Sequence, residues 1–380
     1  MAMSYLSEEE QALIEAIREV ALERVAPRAA EIDHTAQFPW DMKELLAQLD
    51  IFAMAFPVEY GGIGASELAI VMAIEELSRH CATTGVLLAV QQLGAMPILL
   101  AGTDEQKSKY IPALAKGDRL AAFGLTESGS GSDAAAMRTF ALRLGDKYIL
   151  NGSKRFITNG GLAQVNSIFA ITDSATGIRG ISAFIVEQDF PGFSVGRVED
   201  KMGIKGSQTA ELIFTDCEVP VENLLGREGD GFRIAMTTLD RTRIGIGAQA
   251  LGIAQGALDL AVSYAKQRIQ FNKPIADNQG IQFMLADMAT KVEAARLLVY
   301  NAAQMVDRGE KSFSKYSSMA KMYASDIAMD VTNDAIQILG GYGYMKEYPA
   351  ERMMRDAKIT QIYEGTNQIQ RLVIARDLLK

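Results

Sequence analysis

Cysteine and histidine are scarce in this chain. Its 380 residues include two cysteines and two histidines. Cys81 and Cys217 lie far apart and form no CxxC pair, so neither a disulfide framework nor a zinc site is indicated, and we expect a reducing compartment. His34 and His80 form no HExxH pair, which argues against metal catalysis and favours a surface or structural position for each histidine.

An excess of positive charge is also missing. The net charge is -9, so the chain has no basic footprint for nucleic acid. The N-terminus has no basic stretch followed by an apolar one, and Ser7 with Glu10 instead predicts a capping box. Residues 81–103 carry no charge over a bilayer-spanning length. Because this run contains Gln91, Gln92 and Pro97, we interpret it as a buried core helix, without membrane insertion.

The chain exceeds the ~250 to 300 residues at which a single core stops growing, so several domains are expected. Helical spacing of apolar residues predicts an all-α domain over 1–119. Short β-branched and aromatic runs predict an antiparallel, barrel-like β domain over 120–231. Helical spacing returns in 232–380 and predicts a helical bundle. The fold class is therefore α+β multidomain, and no GxGxxG or helix alternation supports a doubly wound dinucleotide fold.

Residues 362–369 place one carboxylate, Glu364, directly before a predicted helix. Thr366 is the expected N-cap, and Gly365 permits unusual backbone dihedrals. Partial burial at such a turn would raise the pKa of Glu364 toward that of a proton abstractor. Taken alone, the same residue fits an ordinary solvated glutamate in a helix-entry loop.

Other segments also allow two interpretations. The Ser/Gly-rich turn at 128–132 can aim backbone N–H groups at an anion, or it is a plain connecting loop. Phe156 lies in a short β-branched and aromatic run, which predicts a core strand residue. Asp240 and Arg243 fit a solvated i, i+3 ion pair on a helix surface.

Several motifs in order resemble the acyl-CoA dehydrogenase family over nearly the whole chain. They are LTESGSGSD at 125–133, NGSKRFITNG at 151–160, RIQF at 268–271, QILGGYG at 337–343 and YEGT at 363–366. The segments LDRTRIGI at 239–246 and QALGIAQ at 249–255 are most similar to the short-chain, butyryl-CoA type. The resemblance implies a helical domain, a β domain and a helical bundle, with FAD as cofactor.

The resemblance also implies which residues bind FAD. They are Phe123, Leu125, Thr126, Gly131, Ser132, Phe156, Ile157, Thr158, Arg268, Phe271, Gln279, Gln337, Ile338, Leu339, Gly340, Gly341, Thr366 and Gln368. Part of this set acts across a subunit interface, which implies a homotetramer. Phe156 replaces a tryptophan common in relatives, so an aromatic surface is kept and its N–H is lost. Asn272 replaces a common glycine, and asparagine tolerates left-handed dihedrals.

For the substrate, the resemblance implies an acyl-CoA bound by Ser132, Asp240, Arg241, Arg243, Tyr363 and Gly365. Glu364 then removes the α-proton while the β-hydrogen leaves as hydride to flavin N5, giving a 2-enoyl-CoA. The backbone N–H of Glu364 and a flavin ribityl hydroxyl polarise the thioester carbonyl. Electrons pass to an electron-transferring flavoprotein. Some relatives carry the base at the position of Thr242, and threonine cannot replace it.

Two rival functions stay open: a flavin oxidase using dioxygen, and a non-catalytic acyl-CoA-binding homologue. Short straight, branched and cyclic acyl groups also stay open, because each methylene changes discrimination by only ~1 to 3 kcal/mol. Gln91 and Gln92 are either near the end of the acyl slot or satisfied core amides. We expect a cytoplasmic bacterial protein or a mature organelle-matrix form.

Overall fold

The computed structural model describes residues 6–380, and its elements follow the predicted order of helices, strands and helices. The N-terminal helices are Glu8–Val20 (α1), Ala29–Thr35 (α2), Trp40–Gln48 (α3), Glu67–His80 (α4), Ala82–Ala101 (α5) and Asp104–Ala115 (α6). The C-terminal helices are Gly231–Gln267 (α7), Gln279–Asp307 (α8), Phe313–Leu339 (α9), Ala350–Thr360 (α10) and Asn367–Leu378 (α11).

Two expectations for the N-terminal part are confirmed. The Ser7 hydroxyl accepts from the Glu10 N–H at 3.1 Å, and the Glu10 carboxylate accepts from the Ser7 N–H at 3.0 Å, which is the capping box. Helices α5 and α7 are long and apolar enough to cross a membrane, but 78% and 83% of their most apolar windows are buried inside the structure. Both are therefore core helices here.

The middle part forms one mixed sheet. Its strands are Ala121–Gly124 (β1), Phe140–Leu144 (β2), Lys147–Thr158 (β3), Val165–Ile171 (β4), Ile181–Glu187 (β5), Phe193–Val198 (β6), Thr209–Pro220 (β7) and Leu224–Leu225 (β8). They pair in the order β6, β7, β3, β2, β4, β5, β8, and β1 joins through β4. A separate small hairpin joins Ile269–Gln270 (β9) to Lys273–Pro274 (β10).

Most of the sheet is antiparallel, as predicted, and the exceptions are the pairs that β1 and β2 make with β4. Strand β1 runs parallel to β4, with Ala121 opposite Val165 and Gly124 opposite Ile168. A parallel pair needs a long crossover, and here the β2–β3 hairpin and the loops around it supply it instead of a helix. Because no helix interrupts these strands, the sequence pattern gave no sign of parallel pairing.

Helix α7 is the centre of the helical packing and contacts α4, α5, α8 and α9. Its small residues allow α4 to approach closely. A Cβ atom at Gly252 would lie 2.2 Å from the Glu75 carbonyl oxygen, and one at Gly256 would lie 2.1 Å from that of Arg79. The buried residues of α4 and α7 therefore join N-terminal and C-terminal helices in one core.

Arg355 of α10 connects all three parts of the chain. Its guanidinium donates to both oxygens of Asp33, at 2.8 and 2.6 Å, and to the Met202 carbonyl at 3.0 Å. It also pairs with Glu351 at 2.7 Å. Burial opposes ionisation of Asp33, but the bonds from Arg355 hold the pKa of Asp33 below its usual range.

We expect Arg355→Met to destabilise the fold by about 3 kcal/mol, since it leaves two carboxylates without their cation in a largely water-excluded place. The midpoint of thermal unfolding at pH 7 measures this loss. Arg308→Met is the matched control, because Arg308 pairs with Glu310 in an exposed position and such pairs contribute about 0 to 1 kcal/mol. Equal midpoints for the two variants would show that the Arg355 contacts do not stabilise the domain arrangement.

Candidate active site

Glu364 lies on a turn with an unusual backbone. Its φ is 50°, and φ of Gly365 is 93°, so two consecutive residues occupy the left-handed region. Such a conformation is unfavourable for a residue with a side chain and persists only when its surroundings enforce it. The Gln370 amide does so in part, by donating to the carbonyls of Glu364 at 3.2 Å and Gly365 at 2.9 Å.

Helix α11 begins directly after this turn, as predicted. The Thr366 hydroxyl accepts from the Ile369 N–H at 3.3 Å and so caps the helix. The side chains that this helix buries are polar. The fully buried side chains of α11 are Asn367 and Gln370, whereas Leu372 is half exposed, because the inner face serves the polar turn.

The Glu364 carboxylate has a shifted pKa. The Thr242 hydroxyl donates to its Oε2 atom at 2.8 Å. Burial raises the pKa of Glu364 to about 7, against the opposing effects of Thr242 and the nearby cations Arg243 and Lys321. The interpretation as an ordinary solvated glutamate is wrong, and a carboxylate with this pKa suits a general base near neutral pH.

Arg243 is buried and acts electrostatically on this carboxylate. It donates to the Leu239 carbonyl at 2.9 Å, to the Ser318 hydroxyl at 2.9 Å and to the Gln370 amide oxygen at 3.2 Å. It also pairs with Asp240 at 3.2 Å. Arg243 is only 4% exposed, so the interpretation as a solvated surface pair is wrong.

Lys321 of α9 is a member of the site that the sequence interpretation missed. Its ammonium donates to the Gly365 carbonyl at 2.8 Å and to the Asn367 amide oxygen at 2.9 Å. Burial lowers its pKa to about 7. The sequence did contain a signal, a single lysine among small residues. The structure buries these neighbours, which are Ser317, Ser318, Ala320, Ala324 and Ser325.

Tyr363 precedes the base and is anchored through its hydroxyl, which donates to the Gln249 amide oxygen on α7. The Gln249 amide donates in turn to the Ala82 carbonyl at 3.1 Å. Arg241, also predicted to contact substrate, is partly exposed on the same helix. The structure therefore brings α7 and the Glu364 turn together at one place.

A buried ion pair between Lys154 and Glu127 anchors the Ser/Gly-rich turn after β1. The Lys154 ammonium contacts Glu127 at 2.7 Å and the Leu125 carbonyl at 3.2 Å. Glu127 also accepts from the N–H groups of Arg138 at 2.7 Å and Thr139 at 3.0 Å. Burial lowers the pKa of Lys154 to about 8, and Glu127 opposes that shift. These contacts leave Gly131 and Ser132 exposed above the anchored segment.

The 156–158 segment lies beside this turn. The Arg155 N–H donates to the Thr126 carbonyl at 2.8 Å, which joins the two predicted flavin-binding segments. Phe156 sits in a β-bulge with a φ of 59° and is 60% exposed, so its interpretation as a core strand residue is wrong. Ile157 is buried and holds the bulge, while Phe156 presents a free aromatic surface.

A second group of predicted residues lines a cavity of about 450 Å³ in the C-terminal part. Its lining includes Arg268, Ile338, Leu339, Gly340, Gly341 and Tyr342. The Arg268 guanidinium lies 5.5 Å from the centre of the Tyr342 ring, a cation–π distance. A Cβ atom at Gly340 or Gly341 would meet nothing within 4 Å, so the backbone there is open to a ligand.

Other predicted residues lie outside this cavity. Phe271 is 93% exposed, and Gln279, Gln337 and Gln368 are also exposed. Asn272 adopts a φ of 63°, so the common glycine is replaced without a change of backbone region.

The paired glutamines of α5 are both buried. Gln91 donates to the carbonyls of Leu114 and Arg119, both at 2.8 Å, and accepts from the Ala121 N–H at 3.0 Å. It is a satisfied core amide. Gln92 donates to the Glu67 carboxylate at 3.2 Å, and burial raises the pKa of Glu67 to about 7.

Comparisons with known proteins agree with this architecture. The chain matches the N-terminal domain of acyl-CoA dehydrogenases over residues 7–118, their middle domain over 122–217 and their C-terminal domain over 229–379. It therefore belongs to the acyl-CoA dehydrogenase family, whose members are FAD-dependent oxidoreductases.

Individual relatives cover almost the full length. A short-chain specific acyl-CoA dehydrogenase of Clostridium acetobutylicum is 50% identical, with 99% of both chains covered. The butyryl-CoA dehydrogenase structure from Megasphaera elsdenii has a TM-score of 0.96 at 48% identity, with 99% of both chains covered. A chain in a structure of the electron transferring flavoprotein of Acidaminococcus fermentans has a TM-score of 0.97 at 53% identity, again with 99% of both covered.

The residues present fit FAD. Arg268 supplies a guanidinium beside open glycine backbone, a combination suited to a pyrophosphate. Phe156 and the turn at 128–132 supply an aromatic surface and exposed backbone in the β domain. The Arg268 cavity is lined by residues of the C-terminal part.

We expect Arg268→Ala to weaken FAD retention by about tenfold or more, because a charge-assisted contact to a phosphate contributes about 1.5 to 3 kcal/mol. Fluorescence titration of the stripped protein with FAD measures the dissociation constant. Lys266→Ala is the control, since it removes one positive charge from an exposed position two residues away. Equal FAD affinity in both variants and the parent would remove Arg268 from the site.

Proposed function

We propose that this protein oxidises a short-chain acyl-CoA at its α and β carbons to the 2-enoyl-CoA, with Glu364 as the base. The observation that carries the proposal is the half-buried Glu364 carboxylate, whose pKa is raised to about 7 on an enforced left-handed turn. A solvated glutamate would be too weak a base for the α-proton of a thioester at neutral pH.

Different groups of the chain abstract the proton, polarise the carbonyl and orient the base. Glu364 takes the α-proton on its carboxylate, and the backbone N–H of the same residue polarises the thioester carbonyl as negative charge develops there. Thr242 keeps the carboxylate oriented through the bond to Oε2. FAD, when bound, supplies the acceptor for the β-hydrogen, which leaves as hydride while the C=C bond forms.

The remaining predicted contacts belong to the same proposal. Asp240, Arg241, Arg243, Tyr363 and Gly365 bind the acyl-CoA, and their supporting observation is the convergence of α7 with the Glu364 turn. Ser132 contributes from the exposed part of the turn at 128–132. The FAD residues divide between the β-domain segments and the Arg268 cavity. The second group serves a neighbouring subunit in a homotetramer with domains 1–119, 120–231 and 232–380.

The substrate and the acceptor follow the relatives. A short acyl chain is supported by the full-length similarity to short-chain and butyryl-CoA dehydrogenases. An electron-transferring flavoprotein as acceptor is supported by the structure from Acidaminococcus fermentans. We place the protein in the cytoplasm, in keeping with its two free, buried cysteines.

Glu364→Gln should fold, bind FAD and acyl-CoA, and lose flavin reduction by about 10² to 10⁴, because the variant keeps the shape of the side chain and removes the base. Glu364→Asp should be intermediate, since its carboxylate is kept but withdrawn by one methylene. Anaerobic stopped-flow bleaching of the flavin by butyryl-CoA measures both. A Gln variant as fast as the parent would place the base elsewhere.

The pH dependence of flavin reduction should follow Glu364. The base acts when deprotonated, so kcat/KM should fall about tenfold per unit below about pH 7. Thr242→Val removes the hydroxyl that favours the carboxylate, so the acid limb should move to higher pH. If the Thr242→Val profile overlays that of the parent, the hydroxyl does not tune the base.

Substrate and acceptor can be separated in one set of assays. We expect kcat/KM over straight, branched and cyclic acyl-CoA esters to peak at a four-carbon chain, and hydrogen peroxide to be a minor product when an electron-transferring flavoprotein is present. Stoichiometric peroxide at full turnover rate would instead support an oxidase. Absence of flavin reduction by every ester would support a non-catalytic homologue.

A further inference from the structure

Lys321 is a buried cation without a carboxylate in direct contact. Its side chain is 0% exposed, and both of its hydrogen-bond acceptors, the Gly365 carbonyl and the Asn367 amide oxygen, are neutral. Within residues 6–380, no salt bridge involves its ammonium. Removing such a charge from water is costly unless nearby charges compensate it. Its retention at this place therefore needs an explanation beyond packing.

The two acceptors flank the reacting carboxylate. Gly365 directly follows Glu364, and Asn367 is the first residue of α11. Asn367 is itself fixed to α9, since its amide donates to Ser325 at 2.9 Å and to Asp326 at 2.7 Å. Lys321 and Ser325 lie one helical turn apart. One face of α9 thus holds both the carbonyl after Glu364 and the start of the next helix.

The charges around Lys321 and Glu364 come from three elements. On the turn stands Glu364 itself. Helix α7 contributes Arg243, which is paired with Asp240. Helix α9 contributes Asp326, which already accepts from Gln361 and Asn367 and pairs with Arg371 of α11.

Among the charged groups, Glu364 has the largest electrostatic effect on Lys321. The Glu364 carboxylate favours the charged form of Lys321, and Lys321 favours the carboxylate of Glu364 in return. Burial acts against both charges, so each is easier to keep when the other is present. Geometry and charge therefore link the lysine to the base, although the two side chains do not touch.

We propose that Lys321 is a positioning residue for proton abstraction: its ammonium holds the Gly365 carbonyl that keeps the left-handed turn in place, and its charge keeps Glu364 ionised. The proposal rests on the proposed function of Glu364 as base. Two consequences are separable, because the hydrogen bond needs a donor whereas the electrostatic effect needs a charge.

Three substitutions separate them in the FAD-loaded enzyme. Lys321→Gln keeps an N–H donor and removes the charge, Lys321→Met removes both, and Lys321→Arg keeps the charge. Lys315→Met is the matched control, since Lys315 lies on the same helix and pairs with Asp377, near the end of α11 that is opposite the turn. Anaerobic flavin reduction by butyryl-CoA is followed from about pH 5.5 to pH 9, and FAD content is measured in parallel.

We expect the acid limb of Lys321→Gln and Lys321→Met to lie about one pH unit above that of the parent, which is about a tenfold loss of rate at the lower pH. Lys321→Met should also be slower on the high-pH plateau, where the base is ionised in every variant. Lys321→Arg and Lys315→Met should keep the limb of the parent. A lysine with a merely structural role would lower the plateau or the FAD content without moving the limb.

An acid limb that stays in place in Lys321→Gln overturns the electrostatic part of the proposal, and a full plateau rate in Lys321→Met overturns the positioning part. Should Lys321→Met fail to fold, Lys321→Gln still decides the first point, and the plateau of Lys321→Ala, which also removes the donor, decides the second. Glu364→Gln keeps this result distinct from the proposed function. Fast flavin reduction in Glu364→Gln would reject Glu364 as the base. Slow reduction in Glu364→Gln, together with an unmoved acid limb in Lys321→Gln, would reject only the role of Lys321.

Discussion

The site depends on one backbone constraint, the consecutive left-handed residues Glu364 and Gly365. A glycine adopts this region readily, but a glutamate does so at a cost that the surroundings must offset. Gln370 and Lys321 bind the carbonyls of the turn from α11 and α9. The direction of the Glu364 side chain is therefore set by contacts of its backbone, and Thr242 fixes its far end.

Buried and partly buried charged residues of this protein form contacts between separate segments. Lys154 and Glu127 join the turn after β1 to β3, and Arg355 joins α10 to the N-terminal helices and to the loop between β6 and β7. Buried ion pairs add little net stability compared with apolar packing, but removing one partner is severe. Their contribution here is to select one relative placement of segments, which a cofactor spread over several segments requires.

Local signals in the sequence predicted local structure well. The caps at Ser7 and Thr366 and the order of helices and strands are all present. What failed depended on distant partners. The parallel pairing of β1 with β4 has no local signature, and the exposed bulge at Phe156 reads as an ordinary strand.

The base itself illustrates the same division. Sequence alone identified Glu364 through a glycine and an N-cap, which are features of the turn. It could not supply the raised pKa, because that value arises from burial and from Thr242, Arg243 and Lys321, which are 43 or more positions away. Burial makes the carboxylate more basic while the two cations limit the shift, so the pKa reaches about 7 without the anion being lost. A tuned base thus needs the helices α7 and α9 assembled around it before it can act.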